Sequence, residues 1–131
     1  MMTAHELVGV WRLEAFHDID STGALHEGPL GPEPRGLLFY SADGHVSVTM
    51  MRTGPAHRGR SAYMSYAGTW RREGDRVVHT IDVAPEPGWL GTEQSRDLEL
   101  DGDDLVLHGT SLVGPVQRRV LHWRRIAGDA A

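Results

Sequence analysis

Cysteine is absent from the 131 residues of this chain, and no apolar run reaches the length of a membrane span. The first absence excludes disulfide bridges, thiol catalysis and cysteine-ligated zinc together. The N-terminal stretch MMTAHELVGVW has neither a basic segment nor an apolar run long enough for export. These features predict a cytoplasmic protein that does not enter a membrane.

An excess of positive charge is also lacking. The chain has 13 basic and 18 acidic residues, a formal net charge of -5, and no basic stripe, so a nucleic-acid partner is not expected. The eight histidines occur without the spacings H-E-x-x-H or H-x-H, so neither a metal nor another cofactor is expected. The length predicts one domain, residues 1–131, with one core.

Glycine and proline are abundant instead, with 16 and 7 residues, and apolar residues alternate with polar ones between turn signals. This pattern disfavours long helices and predicts an all-β fold. Eight strands joined mostly by short turns are expected to close into an antiparallel up-and-down barrel with room for side chains or one small ligand. The predicted strands are residues 7–16, 35–41, 45–51, 66–72, 76–83, 91–100, 104–110 and 116–125.

Three segments fall outside these strands. Thr3 and Glu6 form a T-x-x-E capping box, which predicts a short helical turn at the N-terminus. Residues 18–34 are predicted to be a loop, because three prolines cannot join a ladder there. Residues 52–65, RTGPAHRGRSAYMS, are predicted to be a lid or connector, and the stretch from Ala56 onward could hold one helical turn.

Residues 9–11, G-V-W, match the G-x-W of lipocalins on the first predicted strand. The string W-x-G-T-x-Q-x-R at residues 89–96, with ELVGVWRLEAF and DLVLHG, resembles the bacterial and fungal lipocalin-like domain proteins over about residues 6–125. The resemblance implies a barrel with a cavity, closed at one end by Trp11 under Arg124 or Arg125. It also implies an intracellular protein of a group associated in part with natural-product biosynthesis. No single reaction follows from it.

Strand alternation predicts which side chains face the barrel interior. If Trp11 points inward, then Gly9, Leu13 and Ala15 are expected to point inward with it. On the other strands the predicted inward residues are Leu38, Tyr40, Val46, Val48, Met50, Tyr66, Trp70, Val77, His79, Ile81, Val83, Gln94, Arg96, Leu98, Leu100, Leu121 and Trp123.

Polar residues occupy unexpected places on two neighbouring strands. Acidic residues take the outer face of residues 91–100, which leaves Gln94 and Arg96 inside. A buried guanidinium requires a carboxylate, carbonyls or a ligand anion as a partner. His79 lies inward on the adjacent strand. We therefore expect these three side chains to converge near one end of an apolar cavity, as in small-molecule sites.

Each of the three has two interpretations. His79 is a candidate general acid or base, or a core histidine bonded to a backbone carbonyl or a tyrosine hydroxyl. Arg96 is a candidate anchor for a carboxylate, enolate or polarised carbonyl, or it bonds loop carbonyls. Gln94 orients the same ligand oxygen, or it satisfies Arg96 or the backbone.

Six further residues are candidate ligand contacts, and each is also explained by core packing. Aromatic rings can stack on a flat ligand, tyrosine hydroxyls can donate hydrogen bonds to it, and methionine forms an adaptable apolar wall. These residues are Trp89, Tyr40, Tyr66, Trp70, Met50 and Trp123.

Together these patterns predict a protein that binds one small, largely hydrophobic organic molecule. As an enzyme it would catalyse cofactor-free cyclisation, isomerisation or dehydration of a polyketide-like substrate, with His79 moving the proton while Arg96 and Gln94 hold the oxygen. The alternatives are a carrier with the same cavity and an interaction domain whose barrel is filled by its own side chains. A homodimer is compatible with the sequence, which does not determine the oligomeric state.

Overall fold

The computed structural model describes residues 4–54, 62–110 and 118–128. No helical segment within these ranges has the length and apolar character needed to cross a bilayer. Two short 3-10 turns occur there, at Ala4–Leu7 and Pro87–Trp89. The strands are β1 (Gly9–Ile19), β2 (Leu25–Glu27), β3 (Arg35–Tyr40), β4 (His45–Met51), β5 (Tyr63–Glu73), β6 (Arg76–Val83), β7 (Glu93–Asp101), β8 (Asp104–Thr110) and β9 (Arg118–Ala127).

Eight of these strands form a closed antiparallel barrel. From β1 the order runs through β3 and then in sequence to β9, which pairs back with β1. The closing pairs extend from Val10 opposite Ala127 to Ile19 opposite Arg118. Closure leaves the barrel without a free sheet edge along this seam, and it confirms the predicted up-and-down barrel.

The short strand β2 lies in the segment predicted to be a loop, residues 18–34. It pairs with residues 17–19 of β1, so the first strand is longer than predicted and ends in a small hairpin. The carboxylate of Asp20 accepts hydrogen bonds from the backbone N–H groups of Thr22 and Ala24 at 2.8 and 3.0 Å. This side chain builds the turn locally, whereas the prolines that suggested a loop all come after the hairpin.

The interior side chains follow the predicted alternation on most strands. On β4 and β7 the predicted faces point inward, and the acidic residues of β7 are exposed. Tyr40 also faces inward on β3, whereas its neighbour Phe39 is exposed. The buried residues that were predicted to face inward include Trp11, Leu13, Leu38, Tyr40, Val46, Val48, Met50, Trp70, Val77, Ile81, Leu98, Leu121 and Trp123.

A β-bulge breaks the alternation in β1. The register shifts between Leu13 and Ala15, so one residue is left without a regular partner and the face changes. As a result Phe16 is the buried residue, at 3% exposure, and Ala15 is only half-buried. The inward prediction for Ala15 is therefore wrong.

A second bulge occurs in β6 at Asp82, which has no regular partner in β5 and lies next to the pairing of Gly68 with Ile81. A β-carbon at this glycine would lie 1.8 Å from the carbonyl oxygen of Thr80, so only glycine permits this approach of the two backbones. Val83 lies beyond the bulge and is 65% exposed. Its predicted inward orientation is wrong, because unbroken alternation does not extend to the end of β6.

Trp11 closes one end of the barrel. It is fully buried, and its indole N–H donates to the carbonyl of Leu7 at 2.9 Å. The guanidinium of Arg125 lies 4.3 Å from the ring centroid, and it donates to two backbone carbonyls of the N-terminal segment. The 3-10 turn is thus tied across the barrel end, and Arg125 rather than Arg124 covers the tryptophan.

The opposite end of the barrel is its mouth. By the antiparallel order, β1, β4, β6 and β8 end there, and β3, β5, β7 and β9 begin there. The segment predicted to be a lid or connector follows β4 and precedes β5, so both of its ends lie at this end of the barrel. Its central part, residues 55–61, and the predicted capping residue Thr3 lie outside the described residues.

Candidate functional site

A cavity lies inside the barrel between the Trp11 end and the mouth. Its enclosed part is narrow, about 60 Å³, which is enough for a few water molecules. The cavity continues to the mouth, where Trp89 and Thr110 line it. Most of the wall is apolar and comes from five strands, through Phe16, Leu38, Val48, Met50, Leu107 and Leu121.

The polar side chains that the structure describes in the cavity wall do not include a carboxylate. Tyrosine, histidine, arginine, serine and threonine side chains line the cavity, whereas no aspartate or glutamate among the described residues does so. In the same parts of the chain, no group of three histidine or carboxylate side chains is placed to hold a metal ion. The wall therefore offers hydroxyl groups, which both donate and accept hydrogen bonds, and the positive charge of arginine, and these groups match oxygen atoms on a ligand.

His79 is bonded through both ring nitrogens. Its Nε2 lies 2.6 Å from the hydroxyl of Tyr40, and its Nδ1 lies 2.6 Å from the hydroxyl of Tyr66. The residue is 2% exposed. Burial, and secondarily the positive charge of Arg96, lower the pKa of His79 to about 3. The imidazole is therefore neutral at physiological pH, and a catalytic role for it stays a prediction.

The two tyrosines occupy different positions around this histidine. Tyr66 lines the cavity, whereas Tyr40 is almost fully buried and packs on Trp70, with 4.8 Å between ring centroids. Trp70 donates its N–H to the carbonyl of Ser41 at 3.1 Å. Desolvation raises the pKa of both tyrosines, so both hydroxyls keep their protons. Of the predicted ligand contacts, Tyr40 and Trp70 thus lie behind the cavity wall.

Arg96 reaches the cavity from β7. Its guanidinium donates to the side-chain oxygen of Gln94 at 3.3 Å and to the carbonyl of Ser95 at 3.2 Å. Within the described ranges no ion pair includes it. A β-carbon at Gly109 would lie 2.5 Å from the Arg96 side chain, so this glycine provides the space that the arginine occupies.

Gln94 lies directly opposite His79 in the pairing of β6 and β7 and is 8% exposed. Its amide oxygen is used by Arg96 rather than directed at the cavity, which it does not line. The structure therefore brings His79, Gln94 and Arg96 together, as predicted, and places Gln94 as the support of the arginine. Their roles toward a ligand stay predictions.

A second arginine at the cavity, Arg119, was not among the sequence candidates. It lines the cavity and forms an ion pair with Asp18 at 3.1 Å, with each side chain 18% exposed. The alternation that places Leu121 and Trp123 inward on β9 also places Arg119 inward, so the sequence pattern could have identified it. Asp18 and Phe16 could not be assigned in this way, because the bulge in β1 reverses their orientation.

Trp123 lines the cavity and is 2% exposed, and its indole N–H has no hydrogen-bond partner among the described residues. An unsatisfied buried donor costs about 1–3 kcal/mol. Trp89, in the turn at the mouth, is half-buried. Four predicted ligand contacts are therefore found together at the cavity: Trp89, Tyr66, Met50 and Trp123.

Two sequence comparisons agree with this architecture. The family model described as lipocalin-like domain matches residues 8–126. A 4'-hydroxy-3'-methoxypropiophenone carrier protein of Aspergillus oryzae is 32% identical over 101 residues, which cover 75% of this chain and 90% of that protein.

A comparison with solved structures gives the same fold. The crystal structure of a lipocalin-like protein from Bacteroides uniformis superposes with a TM-score of 0.53, covering 92% of this chain and 99% of that chain at 13% sequence identity. At this identity the likeness concerns the fold alone. Because the family model matches almost the whole chain, the chain belongs to the lipocalin-like domain family.

Proposed function

We propose that this barrel is a carrier that binds one small, mostly apolar organic molecule with one or two oxygen atoms. The supporting observation is the cavity itself, whose mostly apolar walls include a few hydroxyl groups and cations, among them Tyr66 and Arg96, and no carboxylate among the described residues. Small-molecule sites combine apolar walls with a few convergent polar groups in this way. An aryl ketone has matching chemistry, because its ring suits the walls and its oxygen suits the donors. The name of the Aspergillus oryzae relative supports this ligand class.

Such a ligand is larger than the enclosed part of the cavity, since ligand pockets have volumes of about 300–1,000 Å³. Binding therefore requires lining side chains to move. Met50 and Met64 lie in the wall on neighbouring strands. Methionine is unbranched and adapts to irregular shapes at low cost. We infer that these two side chains yield when the ligand enters from the mouth.

Filling the cavity is expected to block binding. Val48 lines the cavity on β4, whereas its neighbour Thr49 points outward and is exposed. Val48→Phe adds a ring to the space that the ligand needs, so we expect its affinity for 4'-hydroxy-3'-methoxypropiophenone to fall by about tenfold or more. Overpacking of this kind also costs about 1–3 kcal/mol of stability. Isothermal titration calorimetry measures the affinity, and denaturation confirms that the variant is folded.

Thr49→Phe is the matched control, because it adds a similar bulk on the outer side of the same strand. Its affinity is expected to equal that of the wild type. Equal affinities for the Val48→Phe and Thr49→Phe variants would place the ligand outside the barrel. If the wild-type protein binds neither this ketone nor related aryl ketones, the proposed ligand class is wrong.

Proton-transfer catalysis is the second candidate function. It is favoured by the hydrogen-bonded chain from Tyr40 through His79 to Tyr66, which ends at the cavity close to a cation. Because both nitrogens of His79 are engaged, a proton would pass through Tyr66, while Arg96 supported by Gln94 would stabilise an enolate. Product analysis after incubation with a polyketide-like ketone separates the two functions. A carrier returns its ligand unchanged, and His79→Gln should abolish any cyclisation, isomerisation or dehydration.

Three broader predictions also remain proposals. They are the cytoplasmic location, the part in natural-product biosynthesis and the homodimer. Sedimentation of the purified protein measures the last of these directly.

A further inference from the structure

His79 cannot be the donor in both of its hydrogen bonds, and it cannot be the acceptor in both. A neutral imidazole has one N–H donor and one nitrogen lone pair. One tyrosine hydroxyl therefore donates to the ring, and the other accepts from it. Two arrangements satisfy the distances of 2.6 Å on either side, and they differ in which tyrosine keeps an uncommitted O–H.

The surroundings of Tyr40 decide between them. Its hydroxyl is bonded to His79 and to no other group in the described ranges, it is 2% exposed, and it does not line the cavity. If Tyr40 accepted the bond, its own proton would be buried without an acceptor, which is unfavourable. If Tyr40 donates its proton to Nε2, every polar hydrogen on the Tyr40 side of the imidazole has an acceptor. The remaining O–H then belongs to Tyr66, which lines the cavity.

We propose that Tyr40 donates to Nε2 of His79, that Nδ1–H donates to Tyr66, and that the Tyr66 O–H is thereby directed at a carbonyl oxygen of the ligand. Tyr66 is then a residue that determines specificity, and Tyr40 and His79 are positioning residues behind it. This inference rests on the proposed carrier function and deepens it. It specifies that the ligand group at Tyr66 is a hydrogen-bond acceptor, so a ketone is preferred there over a group that only donates.

The tautomer of His79 can be measured without any ligand. In the ligand-free protein at pH 7, ¹⁵N NMR of the imidazole nitrogens is expected to show a protonated Nδ1 and an unprotonated Nε2. His79→Gln identifies these signals among those of the eight histidines. A protonated Nε2 would overturn the inference and leave the carrier function standing, because the cavity would be unchanged.

Binding of two probes tests the direction of the Tyr66 O–H. Propiophenone has a carbonyl oxygen, and propylbenzene has the same ring and chain without it. Tyr66→Phe is expected to weaken propiophenone binding about tenfold, or about 1.4 kcal/mol, and to leave propylbenzene binding unchanged. An equal loss for both probes would show that Tyr66 only packs against the ligand, and would contradict the proposal.

Tyr40→Phe tests the positioning role, because Tyr40 does not line the cavity. Without its hydroxyl, Nε2 has no donor, so the ring proton can move from Nδ1 to Nε2 and the Tyr66 O–H can then donate to Nδ1 instead of to the ligand. We expect propiophenone affinity to fall several-fold, with propylbenzene again unaffected. Tyr63→Phe, at an outer position that is 57% exposed, is the control. Failure of the wild type to bind either probe would refute the proposed ligand class, and the NMR result alone would then decide the tautomer.

Discussion

Replacing Trp11 with alanine is expected to lower the free energy of unfolding by about 3–5 kcal/mol, as for other buried aromatic residues. The side chain is fully buried at the closed end of the barrel. Its removal would leave a large cavity, an unpaired carbonyl at Leu7 and a guanidinium without the ring on which it lies. Since small domains have about 5–15 kcal/mol in total, this loss is a large fraction of the stability. Urea denaturation followed by circular dichroism measures the change.

Trp89→Ala is the control for this experiment, because Trp89 is half-buried in the turn at the mouth. It deletes the same indole where little of the fold depends on it, so a loss below about 1.5 kcal/mol is expected. A Trp11→Ala protein as stable as Trp89→Ala would show that the 3-10 turn and Arg125 do not hold the closed end together.

The pH dependence of stability is expected to carry a contribution from His79. The pKa of this residue is about 3 in the folded protein against an ordinary value of 6.5, so the unfolded chain binds its proton first as the pH falls. This contribution is therefore fully present above pH 6.5 and is lost as the pH decreases toward 3. A single group of this kind changes stability by at most about 1.4 kcal/mol per pH unit. Urea denaturation at several pH values between 7 and 4 measures the slope.

His79→Gln removes the titrating group and keeps a polar side chain at the same place. The variant is expected to show a shallower decrease of stability between pH 6.5 and 4 than the wild type. His122→Gln is the matched control, since His122 is exposed on the outer face of β9, and its slope should equal that of the wild type. Identical slopes for all three proteins would mean that His79 is not kept neutral by burial.

The barrel could be predicted from this sequence because inward apolar and outward polar residues alternate regularly along most of its strands. The acidic residues of β7 claim the outer face, and so Gln94 and Arg96 must point inward beside leucines. The bulges that precede Ala15 in β1 and Val83 in β6 could not be predicted, since they arise from the packing of neighbouring backbones, as the contact of Gly68 with Thr80 shows. Each bulge reverses the faces that follow it, which accounts for the errors at Ala15 and Val83.

The candidate site, too, could be predicted only in part. The convergence of His79, Gln94 and Arg96 followed from strand order, because β6 and β7 are adjacent in sequence and in space. The partners of His79 did not, since Tyr40 and Tyr66 come from strands whose stagger around the barrel decides which hydroxyl reaches which nitrogen. The ion pair of Arg119 with Asp18 joins residues about a hundred positions apart. Its prediction required both the closure of the barrel and the bulge in β1.

The seam between β1 and β9 also bears on how this chain folds. Its paired residues are about a hundred positions apart in sequence, so the entropy of a very long loop opposes their meeting. Contacts between residues distant in sequence slow folding relative to local contacts. Until the seam forms, the first and last strands expose unpaired backbone that can capture strands of other molecules. Dilute protein during refolding is therefore the condition under which this barrel closes on itself.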